Sequence, residues 1–149
     1  MRPRLVLLPM LLATLACGDS PSAPATQFPA MTGTWGGTLN INNGANLCNY
    51  SWSITSQTAG AFAGSYEASG TCRLSNGTVS GTVSEAGAIS FSPLLPLDND
   101  CTRLAGGTAA GTVSGSTVTA TGSETQRCNT PTGLFEFTRT YALALTKTT

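Results

Sequence analysis

The sequence predicts an all-β fold, an eight-stranded antiparallel up-and-down barrel, with a small β-sandwich as the alternative. Three observations carry this expectation. Thr, Ser and Gly make up 56 of the 149 residues. Charged residues are only 9%, against about 25% in an average soluble protein. Such material is poor for helices and good for short strands joined by tight turns. From Met31 onward apolar residues recur with period two, interrupted by Gly, Asn and Ser clusters, and no window after the N-terminal apolar run shows a helical repeat.

The strands follow in order. The first starts at about Thr34 and puts Trp35, Gly37, Leu39 and Ile41 on one face. The second carries Tyr50, Trp52 and Ile54, and the third Phe62, Gly64 and Tyr66. Val79, Gly81 and Val83 mark the fourth, Ile89 and Phe91 the fifth. The sixth covers about 103 to 113, and the seventh about 117 to 125 with Val118. The eighth is the longest, with Phe135, Phe137, Arg139, Tyr141, Leu143 and Leu145 on its inner face and Glu136, Thr138, Thr140, Ala142 and Ala144 outside. Eight strands with small polar outer faces must bury one side, and closure does so while removing exposed edges. Within this array Gly77–Ser90 and Gly107–Thr119 resemble each other, as a duplication or as two hairpins of similar composition.

The N-terminus reads as an address. Arg2 and Arg4 precede a twelve-residue apolar run, Leu5–Ala16, that contains Pro9. It is shorter than the ~20 residues of a membrane-spanning helix and fits a secretory signal. Thr14-Leu15-Ala16-Cys17 resembles the lipobox of bacterial lipoproteins, although Thr14 stands where Leu is usual. That resemblance implies cleavage before Cys17 and lipid on it, which makes membrane lipid a partner. Gly18 after the Cys implies, by the same resemblance, export to the outer membrane if the host has one. The expected division is a signal peptide over 1–16, a lipidated Cys and Pro-rich tether over 17–30, and the barrel over 31–149. The mature chain keeps five cations against seven carboxylates, too mild a balance to imply nucleic acid or any particular partner.

Four cysteines remain: Cys48, Cys72, Cys101 and Cys128. In an exported chain an even number predicts two disulfides. A meander puts all four at one end of the barrel. The midpoint of 101 and 128 falls between Ser114 and Gly115, in the turn between the sixth and seventh strands, and that of 48 and 72 falls at Gly60. Hairpin register therefore favours 48–72 and 101–128, with Ile54 opposite Tyr66 and Gly111 opposite Val118. Without a CxxC pair a four-Cys zinc site is disfavoured, and no metal is expected.

Gly33-Thr34-Trp35 at the start of the first strand resembles the Gly-x-Trp of lipocalins and related calycin barrels. That family places a basic residue of the last strand over the Trp, and Arg139 is the residue that would do so here. An inward Arg costs several kcal/mol unless it is satisfied, and stacking on the Trp35 indole would offset part of that. The resemblance implies binding of a small apolar ligand in the barrel mouth. The bulky inward residues could equally fill the barrel against Ala109, Gly111, Ala120 and Gly122.

Function narrows as follows. The chain contains no His, which removes Ser-His-Asp and Cys-His catalysis. The carboxylates Glu67, Glu85, Asp98, Asp100, Glu124 and Glu136 form no evident pair, so no enzyme and no cofactor are expected. Gly18-Asp19-Ser20 lacks the strand and His that a hydrolase nucleophile would need. Pro93-Leu94-Leu95-Pro96-Leu97 could present Leu94, Leu95 and Leu97 to a ligand or partner, or fold back as a plug. Asp98-Asn99-Asp100 has too few oxygens for Ca²⁺ and reads as a turn. The expectation is a monomeric, lipid-anchored envelope module that binds a small apolar ligand, or else another envelope protein through its stapled loops.

Overall fold

Period-two alternation becomes eight strands: β1 (Gly33–Ile41), β2 (Asn46–Thr58), β3 (Ala61–Gly70), β4 (Ser75–Val83), β5 (Ala88–Ser92), β6 (Cys101–Ser114), β7 (Thr117–Thr130) and β8 (Gly133–Thr148). They are seen in a computed structural model that describes residues 27–42, 44–72, 75–92, 95, 97 and 100–148. Each strand pairs antiparallel with the next, and β1 pairs with β8, which closes the barrel and excludes the sandwich. The signal, the lipobox with Cys17, most of the tether, Leu94, Asp98 and Asn99 lie outside the described residues.

The interior is filled by aromatic rings. Trp35, Tyr50, Trp52, Tyr66 and Phe91 are fully buried. Trp52 meets Phe91 edge to face at 4.7 Å between centroids, and Tyr50 stacks on Tyr66 at 5.5 Å. Small residues opposite large ones make the room. A Cβ on Gly81 would come within 2.6 Å of the Phe62 ring, and one on Gly77 within 2.9 Å of the Tyr66 ring. This is the tight interlocking of a packed protein interior.

Register departs from the expected pattern, and bulges are the reason. The β6–β7 turn is Gly115-Ser116, one residue later than expected, with Gly115 at φ 57°. Two extra residues in β6, between Arg103 and Ala105 and between Gly106 and Thr108, then bring Cys101 back opposite Cys128. Consequently Gly111 faces Ala120, and Val118 faces Val113, not Gly111. The β2–β3 turn is Ala59-Gly60, and a bulge between Ile54 and Ser56 sets Ile54 opposite Gly64 and Tyr66 opposite Trp52. Both expected disulfides, Cys48–Cys72 and Cys101–Cys128, are formed, with Cα separations of 5.4 and 4.0 Å.

The two ends differ. The end holding the β2–β3 and β6–β7 turns is covered by the segment before β1. Met31 is fully buried there. Its carbonyl accepts from Trp35 Nε1 at 2.7 Å, and its N–H donates to Gln57 Oε1 at 2.7 Å. At the disulfide end the long strands overrun the short ones. β8 pairs with β1 only from Tyr141 onward, and β5 reaches β6 only from Ala109 to Thr112. The first half of β6, the last of β7 and the first of β8 therefore stand above the barrel as a three-stranded overhang.

Candidate functional site

The overhang carries the inner faces of β7 and β8 past the barrel core to its mouth. Along β7 the alternation from Val118 through Ala120 and Gly122 reaches Glu124 and Gln126. These two are the buried polar or charged side chains of the described residues, 1% and 0% exposed. A buried carboxylate persists only when paired and hydrogen-bonded. Arg103 Nε donates to Glu124 Oε2 at 2.9 Å. Gln126 Nε2 and the Tyr141 hydroxyl both donate to Oε1. One bulge of β6 lies between Arg103 and Ala105 and the other just past Gly106, so they set where Arg103 stands relative to β7. Gln126 Oε1 faces no protein donor among the described residues.

Electrostatics follow from this packing. Burial pushes the Tyr141 phenol well above the usual tyrosine range, and its bond to Glu124 adds to the rise, while the Arg139 charge opposes it. Burial also raises Tyr66, against the pull of Arg103. Arg103 thus pairs with the carboxylate directly, and Arg139 is the register partner of Glu124 on the neighbouring strand.

Outward along β8 the polar cluster gives way to rings. Arg139 pairs in register with Glu124 and holds its guanidinium 4.8 Å from the centre of the Phe137 ring. Phe137 stacks on Phe135 at 5.7 Å. Phe135 is 58% exposed. It belongs to the inner face as expected, but it stands on the overhang, above the barrel interior. Leu47, Leu104 and Leu134 are also exposed, and by strand position all three stand at this same end.

Arg139 is therefore at the mouth, not over Trp35. The cation over the Trp35 ring is Lys147, with Nζ 5.3 Å from the centroid, and the same Nζ donates to the Ala30 carbonyl at 3.1 Å. Lys147 is the β8 partner of Trp35 in register. Arg139 lies eight residues earlier, about 26 Å along the strand. The cause is the length of β8, which continues three residues past the expected Leu145. The Arg139 part of the calycin resemblance is not realised. Gly33 opens β1 at φ 116°, and Trp35 is buried at the covered end.

Leu95 is buried in the core and Leu97 is half-buried, so Leu95 plugs and does not present itself. A depression of about 520 Å³, lined by Asn40, Thr108, Thr121, Ser123, Thr140 and Ala142 among others, lies on the outer face of β6, β7, β8 and β1. Among the described residues no three His, Cys, Asp or Glu side chains gather as metal ligands. Sequence reading missed Arg103, Glu124 and Gln126 as a site. The period-two pattern starting at Val118 was the available signal for the last two. Comparisons with protein-family models, curated proteins and solved structures find no match.

Proposed function

We propose that this chain is an exported, lipid-anchored binding module whose ligand lies in the barrel mouth against Phe135, Phe137 and Arg139. The observation that supports it is that Phe135, Phe137 and Arg139 stand together on the inner face of the overhang, above a core packed with aromatic rings. The ligand class follows from that face. An apolar or aromatic body covers the two rings, and an acidic group meets the Arg139 guanidinium beside them. Binding is the reading chosen over catalysis because Glu124, the one buried carboxylate among the described residues, already accepts from three donors.

Titration with anilinonaphthalene sulfonate, an aromatic ring system carrying an anion, tests this. Saturable fluorescence enhancement is expected, weakened at least about tenfold by Phe137→Ser and by Arg139→Gln, each about 1.4 kcal/mol or more. Enhancement that both variants leave unchanged overturns the mouth site. For the anchor, Cys17→Ser is expected to release soluble protein or block processing. Recovery of the unaltered chain as an unmodified soluble protein overturns lipidation.

The gathering of Leu47, Leu104, Leu134 and Phe135 at one end also supports a second reading, an envelope protein-interaction module that docks by this rim. Absence of probe binding, together with loss of a cross-linked envelope partner on Leu134→Ser, would favour it.

A further inference from the structure

The covered end of the barrel is closed by a piece of chain that belongs to no strand. Residues 27–32 precede β1. They reach from the β2–β3 turn, where the Phe28 ring lies against Gly60, to the end of β8, where Ala30 meets Lys147. β1 pairs with β2 from Gly33 and with β8 from Thr34. The ladders that close the barrel therefore do not use this segment.

Barrel side chains directed at its backbone hold it in place. Gln57 Oε1 accepts the Met31 N–H at 2.7 Å, and Gln57 Nε2 donates to the Pro29 carbonyl at 2.9 Å. The same Nε2 donates to the Ala59 carbonyl at 3.2 Å, which orients the amide. Trp35 Nε1 donates to the Met31 carbonyl at 2.7 Å, and Lys147 Nζ to the Ala30 carbonyl at 3.1 Å. Backbone groups alternate in direction along an extended chain. Pro29 and Met31 turn to Gln57, and Ala30 between them turns to Lys147, as that alternation requires. An amide that takes the carbonyl of one residue and the N–H of the residue two further on does what a neighbouring strand would do. Bonds of that kind hold an extended peptide whatever its sequence, and sockets for its side chains supply the selection.

Two side chains are selected here. Met31 is fully buried, and Phe28 packs against the core. Pro29 brings a φ that is already set and no N–H in need of a partner. Ala30 is exposed.

We infer that the covered end is a peptide-binding site which this chain fills with its own Phe28–Met31, and that it takes a segment of the same chemistry from another polypeptide. That segment is extended and carries an apolar ring, a proline, a small residue and a methionine. A second copy does not supply it. Thr32 alone joins Met31 to the start of β1, so a lent segment would bring the second barrel onto the same rim. Within one chain the joint is Gly33, at φ 116°, a conformation that glycine adopts without a Cβ penalty. The segment turns away there, and the walls of the emptied site stay paired up to the rim. Release adds six residues to the chain ahead of the barrel, about 20 Å of reach when extended. The inference stands on the covered end and is independent of the mouth ligand and the anchor proposed above.

Titration of the full chain carrying Met31→Ser with a fluorescent peptide of residues 27–32, Gln-Phe-Pro-Ala-Met-Thr, tests it. A segment on a short link has an effective concentration of millimolar order, and since it is seated, the free peptide must bind with a Kd below that. A saturable rise in anisotropy below about 1 mM is expected, at least about tenfold weaker for the wild-type chain, which fills its own site. A peptide with Ser in place of Met is expected not to bind, and adding Gln57→Ala to the variant chain is expected to abolish binding. Should Met31→Ser not fold, amide exchange in the wild-type chain decides. Peptide at millimolar concentration is expected to speed exchange of the Met31 N–H, which then loses Gln57 to the peptide. A folded Met31→Ser chain that binds no peptide up to that concentration, equal binding of the two peptides, binding that Gln57→Ala leaves intact, or a wild-type Met31 amide that the peptide leaves unchanged each overturns the inference.

Discussion

Glu124 sits at the base of the mouth with three donors on its two oxygens, and its partner Arg103 keeps 29% of its side chain exposed. An amide at this position keeps one acceptor oxygen, turns an NH2 toward donors on the other side and leaves the guanidinium without its counter-charge. Glu124→Gln is therefore expected to destabilise by about 2–4 kcal/mol, read as a lowered urea midpoint. A double variant, Glu124→Leu with Arg103→Met, is expected to recover part of the loss, because it removes both charges together. A second expectation concerns alkali. Burial holds the Tyr50 and Tyr141 phenols above their ordinary range. Above about pH 10 the unfolded chain loses these protons while the folded chain keeps them. The unfolded state then binds fewer protons, so stability falls as pH rises past that point. Melting temperature followed from pH 8 to 11.5 is expected to fall over the upper part of this range, and Tyr141→Phe to flatten the fall. Single residues were partly legible in the sequence. Trp35, Trp52 and Tyr66 are in the core as alternation placed them. The Glu124 cluster was not read because one of its members, Arg103, reaches β7 past bulges that no spacing rule shows.

Strands and turns were legible in number and order, but their ends were not. The inner residues of β6 and β7 are small, and a run of Gly, Ala and Thr hides where one face ends and a bulge begins. The expected Cys101–Cys128 pairing was reached through a turn misplaced by one residue, which the bulges compensate. That disulfide closes a loop with a sequence separation of 27 and staples the outer end of the overhang. Replacing both cysteines by Ser is expected to cost about 3–4 kcal/mol on a chain-entropy estimate. Amide exchange is expected to rise first in β6 and β7 near the overhang, while β1 and β2 stay protected. The β2–β3 turn offers a contrary test. Ala59 occupies the left-handed region at φ 51°, where a Cβ costs about 1–2 kcal/mol. Ala59→Gly relieves that strain, offset in part by the added freedom of the unfolded chain. Its net effect is expected to be a gain of up to about 1 kcal/mol in thermal or urea unfolding.

Taken as a whole the molecule is polar along its barrel axis. The chain enters at the covered end, where Gln57 Nε2 donates to the Pro29 carbonyl at 2.9 Å and Lys147 to Ala30. The mouth, both disulfides and the exposed apolar residues are at the other end. If lipid on Cys17 holds the protein as proposed, the tether leads from the membrane to the covered end, and the mouth faces away from the bilayer. Between Cys17 and the first described residue, Gln27, the chain spans at most about 35 Å when fully extended, too little to let the barrel turn over freely at the surface. Fluorophores on Ser116→Cys, in the covered-end turn, and on Thr132→Cys, in the mouth turn, report this orientation in vesicles reconstituted with headgroup-quencher lipids. Stronger quenching is expected at position 116 than at 132. Equal weak quenching at both positions would remove the anchor. Stronger quenching at 132 would place the apolar rim against the membrane, and Leu47, Leu104, Leu134 and Phe135 would then be lipid contacts, not the border of a ligand site.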